Sequence, residues 1–180
     1  MKYLFISALV ICWLCSACHK EDENPSSPTT PLPNALVGAQ NYGWVKARRD
    51  GKEWTGSSTG MIHNDDPTKV GFLFNTFDTD TVVIEELAFV SIPLKVGQYV
   101  LTNTHTQPQS IYWVGYYDEI DALYQIAKRT ESYLWIESYD PATKLITGRF
   151  QSFYTKTANF RFNYPSFVAF TDGVFSVTLY

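Results

Sequence analysis

The chain has 180 residues, a net charge of −4 and an aromatic content of 16%. That length suits one domain around one core, and an acidic balance without clustered Lys and Arg argues against a nucleic-acid partner. All three cysteines lie at Cys12, Cys15 and Cys18, so no disulfide framework is expected in the domain that follows.

Met1 and Lys2 precede an apolar run from Leu4 to Leu14, and Cys15, Ser16 and Ala17 are small. This order predicts a signal peptide over 1–17. The run stops well short of the roughly 20 apolar residues that span hydrocarbon. Cys15 and Cys18 have no folded context for metal or redox chemistry, which leaves cysteine as an attachment point. Cys15-Ser16-Ala17-Cys18 resembles the lipobox of bacterial lipoproteins. The resemblance implies cleavage before Cys18 and acylation of its thiol and new amine, palmitate being a usual chain. Cys15 departs from the pattern, which normally has Leu there. Ordinary cleavage after Ala17, releasing a soluble exported protein, is the alternative. Behind Cys18, Lys20 followed by Glu21, Asp22 and Glu23 resembles the export signal of Bacteroides-type surface lipoproteins. It implies an outer-membrane anchor with the domain facing the cell exterior. A plain solvated linker, or a periplasm-facing domain, is the other reading.

Residues 18–40 form the expected tether. Asn24–Asn34 contains four prolines among Ser and Thr, which exclude helix and central strand. At about 3 Å per residue such a segment lifts a domain roughly 30 Å.

The domain proper is expected over 41–180, all-β, with short segments of period-two patterning between turns. Asp50-Gly51 predicts a hairpin turn, setting Arg49 opposite Lys52, Arg48 opposite Glu53 and Ala47 opposite Trp54, with Trp54 in the core. His63, Asp65 and Asp66 read as a polar loop and not a metal site. In Thr81–Ile92 the parity of Val82, Ile84, Ala88, Val90 and Ile92 leaves Glu86 in an apolar row. A bulge near Glu85-Glu86 would turn its carboxylate outward; a buried Glu would have a raised pKa. Gly97–Leu101 and Ile111–Tyr117 read as strands. Residues 118–129 have some helical spacing (Ile120, Leu123, Tyr124, Ala127), but a strand at Ala122–Ala127 fits the surroundings better.

Tyr133–Tyr154 reads as a hairpin opened by Asp140-Pro141. An odd loop would place Leu134, Ile136, Ile146, Gly148 and Phe150 on one face and Tyr133, Trp135, Glu137, Thr147 and Arg149 on the other. Arg149 would then be able to stack on Trp135 or Tyr133. Strands at Phe160–Phe162, Phe167–Phe170 and Val174–Tyr180 complete the expectation, with Thr171-Asp172-Gly173 as the last turn.

An antiparallel β-sandwich of about nine or ten strands follows; a flattened, calycin-like β-barrel around an apolar pocket is the alternative. Ala47 with the Asp50–Trp54 turn, Gly97-Gln98-Tyr99, Tyr139-Asp140 with Ile146–Phe150, and Thr171–Phe175 together resemble Bacteroides-type surface lipoproteins with a single all-β domain of unknown function. That family implies no active site, and no cofactor is expected. No nucleophile elbow, phosphate loop or zinc helix is present. Asp118, Glu119 and Asp121 would need a set separation across a cleft to hydrolyse glycosides. The expected role is therefore a non-catalytic interaction or structural module that binds an envelope protein. The alternative is a glycan-binding accessory lipoprotein using Tyr133, Trp135, Glu137 and Arg149. Exposure of Trp135 separates the two.

Overall fold

A computed structural model describes residues 43–79, 82–104, 107–116 and 119–180. Cys18, Lys20, Glu21, Asp22, Glu23 and the tether lie outside the described residues, as do His105, Tyr117 and Asp118. The described chain is all-β: β1 (Gly43–Arg49), β2 (Lys52–Ile62), β3 (Lys69–Phe77), β4 (Val83–Pro93), β5 (Gly97–Val100), β6 (Gln109–Tyr116), β7 (Glu119–Ile126), β8 (Tyr133–Asp140), β9 (Leu145–Asn159) and β10 (Phe167–Thr178).

The sheet order β10-β1-β2-β3-β4-β6-β7-β9 is completed by a β9–β10 pairing, so the sheet closes into an eight-stranded antiparallel barrel. Closure selects the barrel over the open sandwich. The fifteen-residue β9 makes this possible. One of its edges runs along β10, and its other edge takes β8 over Leu145–Gln151 and β7 over Tyr154–Asn159. β5 flanks β8 as β6 flanks β7, so β8 and β5 form a wing continuous with the barrel wall.

Aromatic rings fill the interior. Phe72, Phe74, Phe89, Phe150 and Phe175 are buried in one cluster, with centroid separations of 5.2–5.4 Å around Phe74 for the last three. Tyr112, Tyr124, Tyr154 and Phe170 form the next layer. Two glycines make room for these rings. Gly148 lies directly across from Phe175 and Gly173 across from Phe150. A Cβ on Gly148 would lie 2.3 Å from the Trp135 carbonyl oxygen and 2.6 Å from Phe175. Large residues opposite small ones thus interlock within the wall.

The first hairpin has the expected register, Ala47↔Trp54, Arg48↔Glu53 and Arg49↔Lys52. Asp50 (φ 51°) and Gly51 (φ 78°) supply the two left-handed residues its turn requires. Residues 119–126 are a strand, not a helix.

Four expectations about individual strands and turns differ from the structure. In β4 it is Leu87 and Phe89 that point inward together with Glu85, and the register shifts twice, at Ile84 just before the expected position and at Val90-Ser91, where Ser91 takes φ 60° and Ile92 returns to the core. Glu86 faces outward because the parity between the two shifts, over Glu85–Phe89, is the opposite of the expected one. In the β8–β9 hairpin the expected faces are present, but the loop 141–144 is even. Asp140 pairs with Leu145, and an extra residue at Glu137 restores Ile136↔Gly148. The core demands that register, and the bulge supplies it. Thr171-Asp172 is likewise a bulge inside one continuous β10. Finally, 160–166 is a connection, not a strand. Tyr124, an interior residue, donates to the Pro165 carbonyl at 3.0 Å, and Tyr164 Oη donates to Asp121 Oδ2 at 3.3 Å. This segment therefore reaches over the barrel end opposite the one where Gly43 enters.

Candidate functional site

Leu134 and Ile136 are fully buried, so the alternation of β8 turns Tyr133, Trp135 and Glu137 to the outer wall. Trp135 lies between Arg149 on β9 and Gln98 on β5, and Tyr133 between Gln151 and Val100. The four residues singled out in the sequence therefore form one surface. Trp135 is 42% exposed and Val100 51%. Among the described residues no second layer covers them. Among the described residues, neither Trp135 nor Tyr133 stacks on another ring, and neither the indole N–H nor the phenol has a hydrogen-bond partner.

Arg149 does not stack on these rings. Its Nε lies 2.6 Å from Glu137 Oε1. The bulge frees Glu137 from the ladder and brings its carboxylate to Arg149. A pair this exposed contributes at most about 1 kcal/mol, so its main effect is to orient both groups beside a bare indole face. A cation does lie over Trp44, where Lys46 Nζ is 5.8 Å from the ring centroid. Gln98 and Val100 were not foreseen as part of this surface. Only the β5–β8 pairing brings them there, and no local signal encodes it.

The other acidic candidates are engaged separately. Glu119 pairs with Arg161, and Asp121 is buried under Tyr164. His63 sits in its loop, its pKa lowered by burial and by Lys69. Among the described residues no group of three or more His, Cys, Asp or Glu converges, and no helix is long and apolar enough to cross a membrane.

Glu86 is half-buried on the outer wall and accepts from Trp113 Nε1 at 2.9 Å. Burial raises its pKa above the usual carboxylate range, and the indole N–H opposes that rise. In the unfolded chain Glu86 ionises at its ordinary value. Stability therefore falls as pH rises from that value through the higher folded one. Glu86→Gln keeps an acceptor for Trp113 and removes the charge. It is expected to raise Tm at neutral pH and to lose that advantage in acid, where Glu86 is protonated in both states. A Tm gain independent of pH would contradict this account.

What the Trp135 surface offers chemically is a flat apolar face on a rigid strand, ringed by a phenol, an amide, a guanidinium and a single carboxylate. Compared with protein-family models, curated proteins and solved structures, the chain matches none of them.

Proposed function

We propose that this chain is a non-catalytic recognition module, lipid-anchored through Cys18 at the outer face of the outer membrane, and that its ligand is a saccharide bound on the Trp135 surface. The observation that carries the ligand assignment is the exposed indole of Trp135 on a wing of the barrel wall. Sugar rings present C–H faces to such planes, and the surrounding Gln98, Tyr133, Glu137 and Arg149 can hydrogen-bond their hydroxyls. The lipobox-like Cys15–Cys18 and the acidic run behind it support the anchor, and the resemblance to Bacteroides-type surface lipoproteins supports the location.

Affinity electrophoresis against a polysaccharide panel tests the ligand. Trp135→Ala is expected to weaken binding about 30-fold, the loss of a central anchor worth about 2 kcal/mol, with Tm unchanged. Failure to bind any polysaccharide would leave the envelope-protein reading in its place. Mass spectrometry of the mature N-terminus is expected to find acylated Cys18, and Cys18→Ser to move the protein to the soluble fraction. An unacylated terminus following Ala17 would remove the anchor.

A further inference from the structure

Beside the Trp135 surface the wall is interrupted twice at the same level. β5 stops at Val100 before β6 resumes at Gln109, and β7 stops at Ile126 before β8 resumes at Tyr133. The two breaks lie side by side, because β5 pairs with β8 and β6 with β7. Between them is a groove of about 520 Å³ whose lining includes Val100, Thr102, Asn103, Lys128, Arg129 and Glu131. That volume lies within the range of small-ligand clefts, about 300–1,000 Å³.

The groove is held open by bonds that replace the missing ladder. Asn103 Nδ2 donates to the Ile126 carbonyl at 2.9 Å, and Asn103 Oδ1 accepts from the Ile126 N–H at 3.1 Å. Leu101 N–H donates to the Ser132 carbonyl at 2.8 Å, and the Ser132 hydroxyl accepts from Phe153 N–H at 3.0 Å. Both walls are thus fixed before any ligand arrives. Lys128 and Arg129 are exposed at the groove, and neither pairs with a carboxylate among the described residues. The cation of the adjacent surface, Arg149, is already neutralised by Glu137. Val100 belongs to both places: it lines the groove and sits across from Tyr133.

We propose that this groove is an acidic-sugar subsite continuous with the Trp135 surface, in which Lys128 and Arg129 receive a carboxylate or sulfate of the bound saccharide. The assignment rests on the saccharide reading and names its substrate class. A net charge of −4 repels polyanions in general, so an acidic chain can settle only where unpaired cations offset that repulsion locally. Glu131 at the same groove disfavours a purely electrostatic polyanion contact and requires the charged group to lie on the Lys128–Arg129 side.

The test measures binding of the full chain to dextran, dextran sulfate and polygalacturonate. Tighter binding to a charged polymer than to dextran is expected, with dextran sulfate against polygalacturonate distinguishing sulfate from carboxylate. Lys128→Ala/Arg129→Ala should cost at least tenfold on the charged polymer and leave Tm unchanged. Lys128→Arg/Arg129→Lys should retain most of the affinity, and raising salt should weaken the charged polymer alone. Charged-polymer binding that survives the double alanine variant, or equal binding of all three polymers lost only in Trp135→Ala, would overturn the groove and leave the saccharide reading standing. Absence of binding to all three polymers and to the wider panel would overturn both.

Discussion

Phe74→Ala lowers the unfolding free energy by about 3–5 kcal/mol. Phe74 is fully buried, and its ring meets those of Phe89, Phe150 and Phe175 at 5.2–5.4 Å, and Phe72 at 6.3 Å. These neighbours come from β3, β4, β9 and β10. Truncation therefore leaves a void bounded by four strands of a closed wall, which cannot collapse onto it as a loop would. The lost transfer energy is joined by a cavity term for that reason. Against a total stability of about 5–15 kcal/mol for an ordinary domain, the variant is left marginal, with Tm down by on the order of 10–20 °C. Phe153→Ala is the control. Phe153 stacks on the exposed Phe167 outside the barrel, and its loss should cost less than about 1.5 kcal/mol. Urea unfolding of both variants decides the matter. Equal losses would mean that the interior rings do not form the core described.

Local chemistry was legible in the sequence. The Asp50-Gly51 turn carries its own left-handed conformation and sets its own register, and the structure has that register residue for residue. The outward set Tyr133, Trp135, Glu137 and Arg149 was legible because alternation along a strand does not depend on its partners. The route to it was not legible. An even loop plus a bulge at Glu137 gives the same faces as an odd loop, and only the buried fit of Ile136 beside Gly148 distinguishes them. Thr81–Ile92 misled because two apolar rows of similar strength compete there. The row of Leu87 and Phe89 wins, and Phe89 makes ring contacts with Phe74 of β3 and Phe150 of β9. Closure was undetermined for a related reason. A sandwich and a flattened barrel share strands, turns and alternation, and differ in whether β9 also reaches β10. The Lys128–Arg129 groove was invisible because it exists only where two strand breaks come to lie side by side.

The acid that the opposite parity sends inward is Glu85, and Glu85→Ala is expected to cost about 2–3 kcal/mol. Glu85 Oε2 accepts from Trp54 Nε1 at 2.6 Å and from Thr76 Oγ1 at 3.3 Å, and Glu85 Oε1 pairs with Arg49. Arg49 Nη1 also reaches Tyr112 Oη at 3.2 Å. Burial pushes the Tyr112 hydroxyl up to about 12 despite that guanidinium, so it stays protonated. The carboxylate on β4 thus joins β1, β2 and β3, and Arg49 extends the cluster to β6, at the barrel end where the first hairpin turns. Removing it strands a buried indole donor and a guanidinium. The side chains of Glu85 and Arg49 are 12% and 36% exposed, so Arg49 can turn toward water and recover part of the loss, which keeps the figure below that of a fully buried pair. Glu85→Gln retains an acceptor for Trp54 and should cost less. Arg49→Met with Glu85→Gln should cost less than the sum of the two single changes, since neither charge is then left alone. High salt should reduce the Glu85→Ala effect only slightly, because a mostly buried pair is poorly screened. The cluster is separate from the Trp135 wing, so the folded fraction of Glu85→Ala should bind saccharide as the parent does. Strict additivity in the cycle, or a Glu85→Ala loss under about 0.5 kcal/mol, would show that the carboxylate does not join the strands as the geometry indicates.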